Sequence, residues 1–294
     1  MENPIYYRVK KIFSSMFLQM FLVGVAATCI FPLLWMFGSS LKTQSTVFSD
    51  MSLFPKNPHW ENYYIAWTKG EFGVYFFNSV FYTAVTVVCI VIFTSMAAYG
   101  ISRLRMPGKN IIFYAFLAAM MIPIPGAFVA LYAILINLGF INPGTGVDLL
   151  DNVIKRLGYI LPQINQGLSL GIFMLKTFFD KIPKDLEDSA RIDGCGKFGV
   201  YWHIALPLAK PAIAVIVIIN VLYVWNEYLL AMLILTDKSL MPLQRGLMVF
   251  QGAHMTQYPL LMSGITITVI PIILVYLFMQ RQIITGITAG MAKG

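Results

Sequence analysis

Charge is what this chain has least of. Only 12% of its 294 residues are charged, against 58% hydrophobic, with 13 acidic and 21 basic side chains. That balance excludes a disordered chain or an ordinary soluble domain and points to a polytopic membrane protein. Cysteine and histidine are equally scarce, three of each. Cys29 and Cys89 fall in apolar runs and Cys195 in a polar loop, which suggests no disulfide framework, zinc-like spacing or redox pair. His59, His203 and His254 are too scattered for a metal site. No phosphate loop is present: Gly108-Lys109-Asn110 lacks both the earlier glycine and the hydroxyl after the lysine, so the chain is not expected to hydrolyse ATP alone. Glu227 is the only acidic residue inside a long apolar run, which leaves no carboxylate pair and no Ser-His-Asp set for a cleft, and catalysis is not expected.

Long apolar runs are what the chain does have. A hydrocarbon core of about 30 Å needs roughly 20 apolar residues in helix. Six segments qualify, at about 14–38, 74–98, 111–136, 157–175, 211–234 and 258–280. Strands of a closed barrel would be short and alternating, so an all-α membrane fold with six transmembrane helices is expected. The fourth segment is the most polar, carrying Pro162, Gln163, Asn165, Gln166 and Gly167, and crosses a bilayer only if those groups face protein or water. Pro123, Pro125 and Gly126 should bend the third. Arg8, Lys10 and Lys11 precede the first run without a cleavage pattern after it, which reads as an uncleaved signal anchor.

With six spans, fourteen Lys and Arg fall on the side of the termini and seven on the other, which places both termini in the cytoplasm. The net charge of +8 is accounted for by this bias and calls for no nucleic-acid partner. The expected organisation is an N-terminal segment, first span and outer loop over 1–73, a five-helix core over 74–280, and a tail over 281–294.

One polar island interrupts the pattern, from Lys181 to Pro207. Ile182-Pro183 opens a helix well, and Asp185, Glu187 and Asp188 place negative charge near its N-terminus. Ile182, Leu186, Ala190 and Ile192 or Asp193 set an apolar stripe, and Gly194 supplies a left-handed cap. A second helix is expected from about Gly196 to Ala205, bearing Phe198, Tyr201 and Trp202 and stopping before Pro207. Helices this short are marginal alone, so something must cover them.

The spacing here resembles the membrane-spanning subunits of binding-protein-dependent ATP-binding-cassette importers. Their loop carries E-A-A, three residues, G, nine residues, then I-x-L-P. This chain has Asp188-Ser189-Ala190, three residues, Gly194, nine residues, then Ile204-Ala205-Leu206-Pro207, with Asp for Glu and Ser for Ala as the two departures. Ile182-Pro183-Lys184, Ala190-Arg191-Ile192-Asp193-Gly194, Trp225-Asn226-Glu227-Tyr228 and the ending from Gly286 extend the likeness to the carbohydrate-importer branch, maltose-permease second-subunit type. The stretch from Thr145 to Arg156 departs from that pattern. The resemblance implies a type I importer permease in a bacterial inner membrane, acting with a homologous second permease, two cytoplasmic ATPases and an extracytoplasmic solute-binding protein. It implies no cofactor on this chain, ATP and magnesium being held by the ATPases.

The same resemblance assigns Asp188, Ser189, Ala190, Gly194, Ile204, Leu206 and Pro207 to ATPase coupling, and Thr288, Ala289, Gly290, Lys293 and Gly294 to a tail reaching between the ATPases. Polar and aromatic residues of the fourth and fifth segments are candidates to line a carbohydrate passage: Gln163, Asn165, Gln166, Ser169, Asn220, Tyr223, Trp225, Asn226, Glu227 and Tyr228. Each is costly facing lipid, and each either pairs with hydroxyls or stacks on a sugar face. Interhelical hydrogen bonding accounts for the same residues equally well. Segments 39–73 and 235–257 are long enough to meet a soluble partner. The alternative is an ion- or proton-coupled secondary transporter, which predicts inverted repeats and several midplane ionisable groups where this sequence offers Glu227 alone. A plain membrane anchor would not require the fixed spacing.

Overall fold

The computed structural model describes the backbone of residues 4–121, 124–252 and 255–291, and side chains over 15–121, 127–252 and 255–281. Pro123, His254, Lys293 and Gly294 lie outside the described residues, as do the side chains of Arg8, Lys10, Lys11, Pro125 and Gly126. Every regular element among the described residues is helical, apart from one isolated antiparallel pairing of Gln251 with Thr256.

The chain divides into two compact units. The first comprises residues 1–70 and 247–267. It contains α1 (Pro4–Ser40), α2 (Glu61–Lys69) and the first turns of the last helix. Residues 15–40 are strongly apolar; 15–34 are exposed, whereas Gly38, Ser39 and Ser40 at the end of α1 are buried. At its end Gly38 packs against the Leu53 carbonyl, with no room for a Cβ. Lys42 is 1% exposed. Its ammonium donates to the carbonyls of Asp50 and Ser52 at 2.5 and 2.8 Å and sits over the Trp35 ring, so a buried cation closes the loop that follows α1. Gln44 donates to Thr256 O and accepts from Tyr258 N, which ties the same loop to residues before the last helix.

The second unit, residues 71–246 and 268–294, is organised on two long parallel helices, α3 (Phe72–Arg103) and α6 (Asp148–Lys181). Their register follows from three contacts. Tyr82 meets Tyr159 at 4.8 Å, Gly167 and Gly171 face Ile90 and Thr94, and Tyr99 meets Phe179 at 5.7 Å. Small residues let two backbones approach where lipid provides no hydrophobic drive between them. Gly167 therefore does more than interrupt an apolar run. A Cβ there would stand 2.5 Å from Ile90 Cδ1 and 2.6 Å from Asn220 Oδ1.

Between those helices in sequence lie α4 (Lys109–Met120) and α5 (Ile124–Asn137). The third expected span is thus two helices, the first ending at Met120 and the second beginning at Ile124. After α6 come α7 (Lys184–Ile192), the short α8 (Lys197–Val200), a π-helical turn over Tyr201–Ala205, α9 (Leu206–Leu208), α10 (Lys210–Trp225) and α11 (Leu229–Ile234). The chain turns by 73° between residues 197–208 and α10. Two expectations need correction here. The helix expected to stop before Pro207 runs on through it to Leu208, because the π turn moves the bonding pattern by one residue where proline lacks its N–H. The fifth span is not continuous over 211–234, since helix stops at Trp225 and restarts at Leu229.

The stretch from Ser239 to the short α12 (Leu243–Gly246) is fastened to α3. Asn78 donates to the carbonyls of Ser239 and Met241, Tyr82 to that of Leu240, and Ser79 Oγ accepts from Leu243 N. The last helix, α13, runs Tyr258–Met291. Among the described residues, three helices are long and apolar enough to cross a membrane, at 15–40, 72–103 and 258–281, or four if the bent pair around Ala209 counts as one span. The long α6 is too polar to be one of them by hydropathy. Of its polar groups, Gln163 is buried at 1% exposure, Gln166 is half-buried and Asn165 is exposed.

Candidate functional site

Two places gather the chemistry. The first is the helical hairpin over 181–207. Its α7 ends in a Schellman cap: Cys195 N donates to Ala190 O at 2.9 Å and Gly194 N to Arg191 O at 3.0 Å. Gly194 takes φ +89°, the left-handed region in which a side chain is strained. The buried side of α7 consists of Glu187 and Ala190. The apolar stripe expected from the spacing is therefore corrected. Ile182 and Ala190 face inward, whereas Leu186 and Ile192 are 46% and 87% exposed. The inward place next to Ala190 goes to a carboxylate because Arg103 waits there: its Nε is 3.0 Å from Glu187 Oε1, with both side chains nearly buried.

The second half of the hairpin divides the same way. Tyr201 is buried, its hydroxyl 2.9 Å from Ser95 Oγ and its ring beside Tyr99, while Phe198 and Trp202 are exposed and stacked on each other. Of the predicted coupling positions, Asp188, Ser189, Gly194 and Pro207 are exposed, Ile204 and Leu206 are half-buried, and Ala190 packs inward. Leu186, Ile192, Phe198 and Trp202 are thus exposed on the hairpin, as is Asp188. Arg103 and Glu187 are residues that sequence reasoning missed as a pair. Nothing in a spacing pattern joins positions this far apart.

The second place is a cavity of about 550 Å³ bounded by α4, α5, α6, α10 and α11. Its polar groups are Asn165, Gln166 and Ser169 from α6, with Tyr223 and Glu227. Phe116, Met120, Phe128 and Leu131 supply the apolar wall, which the sequence did not single out, being ordinary span residues. Other predicted lining residues are engaged elsewhere. Gln163 and Asn220 donate to Tyr159 O and Ile216 O on their own helices, and the Trp225 indole donates to Thr268 O at 3.1 Å. Asn226 is exposed, donates to Leu222 O and accepts from Gln244, and the Tyr228 hydroxyl reaches Met232 Sδ. A polar side chain on a span first satisfies its own backbone or a neighbour, and only the leftovers face an opening.

Glu227 has a double position. It lines the cavity, and its two oxygens accept from Leu230 N at 2.7 Å and Ala231 N at 3.0 Å, capping α11 after the break. The carboxylate is what allows a helix to restart inside the bundle. Among the described residues no three His, Cys, Asp or Glu side chains are grouped to hold a metal.

Of the predicted tail, Thr288, Ala289 and Gly290 belong to the last backbone turns of α13; their side chains, with Lys293 and Gly294, lie outside the described residues.

Comparison with known proteins bears on both places. The chain is 34% identical over 278 residues to a probable ABC transporter permease protein of Bacillus subtilis (strain 168), covering 95% of this chain and 87% of that one. It is 32% identical over 263 residues to the diacetylchitobiose uptake system permease protein of Streptomyces coelicolor, covering 89% and 83%. The fold matches a chain in the crystal structure of a bacterial ABC transporter involved in the import of the acidic polysaccharide alginate, with a TM-score of 0.75, 22% identity, and 96% and 98% of the two chains covered. A family model described as binding-protein-dependent transport system inner membrane component matches residues 97–288, a stretch that includes both the hairpin and the cavity. By that match and those identities, the chain belongs to the family of inner membrane components of binding-protein-dependent transport systems.

Proposed function

We propose that this chain forms half of the passage in an ATP-driven importer for a carbohydrate, in the oligosaccharide range, delivered by an extracytoplasmic binding protein. The observation that carries this reading is the 181–207 hairpin, which keeps the importer spacing and turns Leu186, Ile192, Phe198 and Trp202 outward beside Asp188 and Gly194. A surface of that kind on a polar loop fits a protein groove better than lipid. In this reading a homologous permease supplies the other half, and two ATPases with ATP and magnesium dock on the two hairpins. The chain crosses the membrane six times with both termini in the cytoplasm, and residues 288–294 reach the ATPases.

The carbohydrate assignment is supported by the diacetylchitobiose uptake permease among the relatives and by the lining of the cavity. Asn165, Gln166, Ser169 and Tyr223 offer donors and acceptors for hydroxyls, and Phe116 and Phe128 offer apolar rings for sugar faces. ATP closing the ATPase pair would displace the hairpin, and the difference in affinity of the ATPases for two membrane states would drive alternating access. The test is co-purification from membranes followed by ATP hydrolysis in proteoliposomes with binding protein loaded from a saccharide panel. A co-purifying ATPase stimulated by at least one saccharide is the expected result. Purification without any ATPase removes the reading and returns the ion-coupled alternative.

A further inference from the structure

Arg103 is the last residue of α3, and its guanidinium ties three segments together. Nε lies 3.0 Å from Glu187 Oε1 on α7, an ionic contact outside hydrogen-bond geometry, the two side chains being 7% and 5% exposed. Nη2 donates to Ile182 O at 2.6 Å and to Phe179 O, at the C-terminal end of α6. There the cation also meets the negative end of the helix dipole. Between α6 and α7 the only residues outside helix are Ile182 and Pro183, both extended, with ψ 127° and 133°. Two such residues make a swivel unless something spans them, and Arg103 spans them. A second grip lies on the same face of α3, where Ser95 meets the Tyr201 hydroxyl at 2.9 Å and the Tyr99 ring packs between Tyr201 and Phe179.

A buried ion pair contributes little net stability, because desolvating both charges offsets most of their attraction. What it does fix is position. Turning α7 about the swivel would draw Glu187 away from Arg103 and leave that nearly buried carboxylate with only the more distant Arg191, at 3.8 Å on its own helix, while Arg103 stays held to α6 by the Phe179 and Ile182 carbonyls. We propose that Arg103, acting through Glu187, is the positioning residue that makes the 181–207 hairpin move as one body with α3 and α6. A push on the hairpin then reaches the spans instead of being absorbed at Ile182-Pro183. This rests on the reading of the hairpin as the ATPase-docking element.

The test uses the whole transporter, purified with its co-purifying subunits, in a background with Cys29, Cys89 and Cys195 replaced. Nitroxide labels on Met106→Cys and Lys184→Cys report the distance between the end of α3 and the start of α7, without nucleotide and after trapping with ATP and vanadate. The unmodified pair should give one narrow distance in both states. Arg103→Ala and Glu187→Gln should broaden or shift it on trapping and weaken the coupling of ATP hydrolysis to the binding protein by roughly 2- to 30-fold. Charge exchange in Arg103→Glu with Glu187→Arg should recover part of the narrow distribution. The near-isosteric Glu187→Gln decides the matter if Arg103→Ala does not accumulate. An unchanged distance in Glu187→Gln overturns the proposal, and so does loss of the ATPase from that variant, which would make the pair a docking device. Failure of the docking reading itself shows separately, as normal ATPase retention in Gly194→Trp.

Discussion

Gly171 of α6 lies against Thr94 of α3 so closely that a Cβ on the glycine would stand 2.5 Å from Thr94 Cγ2. One turn earlier, Gly167 meets Ile90 and Asn220 in the same manner. The pair forms a small-residue seam along which the two longest helices of the second unit are joined. Gly171→Leu should therefore push α6 away from α3, at a cost on the order of 1–3 kcal/mol for overpacking. Thermal unfolding in detergent would show a lowered midpoint. An unchanged midpoint would mean the helices separate freely in solution.

Glu227 holds α11 by its first amides, so Glu227→Ala should release two buried N–H groups at about 1–3 kcal/mol for unsatisfied donors. Glu227→Gln keeps one acceptor and should fall between the wild type and Glu227→Ala. The measurement is thermal stability together with saccharide-stimulated ATP hydrolysis. Equal behaviour of all three proteins would remove the cap from the account.

Gly194→Trp places a large side chain at φ +89°, which strains the cap by about 1–2 kcal/mol and puts bulk on the exposed side of the hairpin. Membrane insertion should be normal and ATPase co-purification lost. Gly194→Asn, tolerant of the left-handed region, should retain part of it. Full retention in both variants would separate docking from this hairpin.

Asp151, in the first turn of α6, is hydrogen-bonded to Thr145 in the stretch just before that helix. Its Oδ1 accepts from Thr145 N at 3.1 Å and Thr145 Oγ1 at 2.5 Å, and the Thr145 hydroxyl chiefly holds the carboxyl below the usual carboxylate range. A group depressed on folding contributes order above its unfolded pKa and loses it as pH falls through the folded value. Hydrogen exchange over 144–148, corrected for the intrinsic rate, should therefore be slow at neutral pH and rise in acid. Asp151→Asn should exchange rapidly at both. A pH-independent wild type would show that this carboxylate does not order the loop.

Much of this protein was legible in one dimension. Apolar runs marked the helices because the bilayer demands uninterrupted backbone hydrogen bonding and about 20 apolar residues per crossing. Lys, Arg and a spaced Asp188-to-Pro207 pattern marked the hairpin, since its polarity and spacing are written on consecutive residues. The left-handed cap at Gly194 was readable for the same reason, being a local backbone requirement.

What depended on separate parts of the chain was not readable. Helical spacing put Leu186 and Ile192 on an inner stripe, yet Arg103, from another helix, drew Glu187 inward and turned them out. Composition named ten residues for the passage, and the cavity accepted five, because Gln163, Asn220 and Trp225 found carbonyl partners first. The sequence by itself determined a helical membrane permease with a polar hairpin, since local polarity and spacing are enough for both. Only the tertiary structure decided which side chains face the opening and how the hairpin is held, because each of those depends on a partner brought in from another segment of the chain.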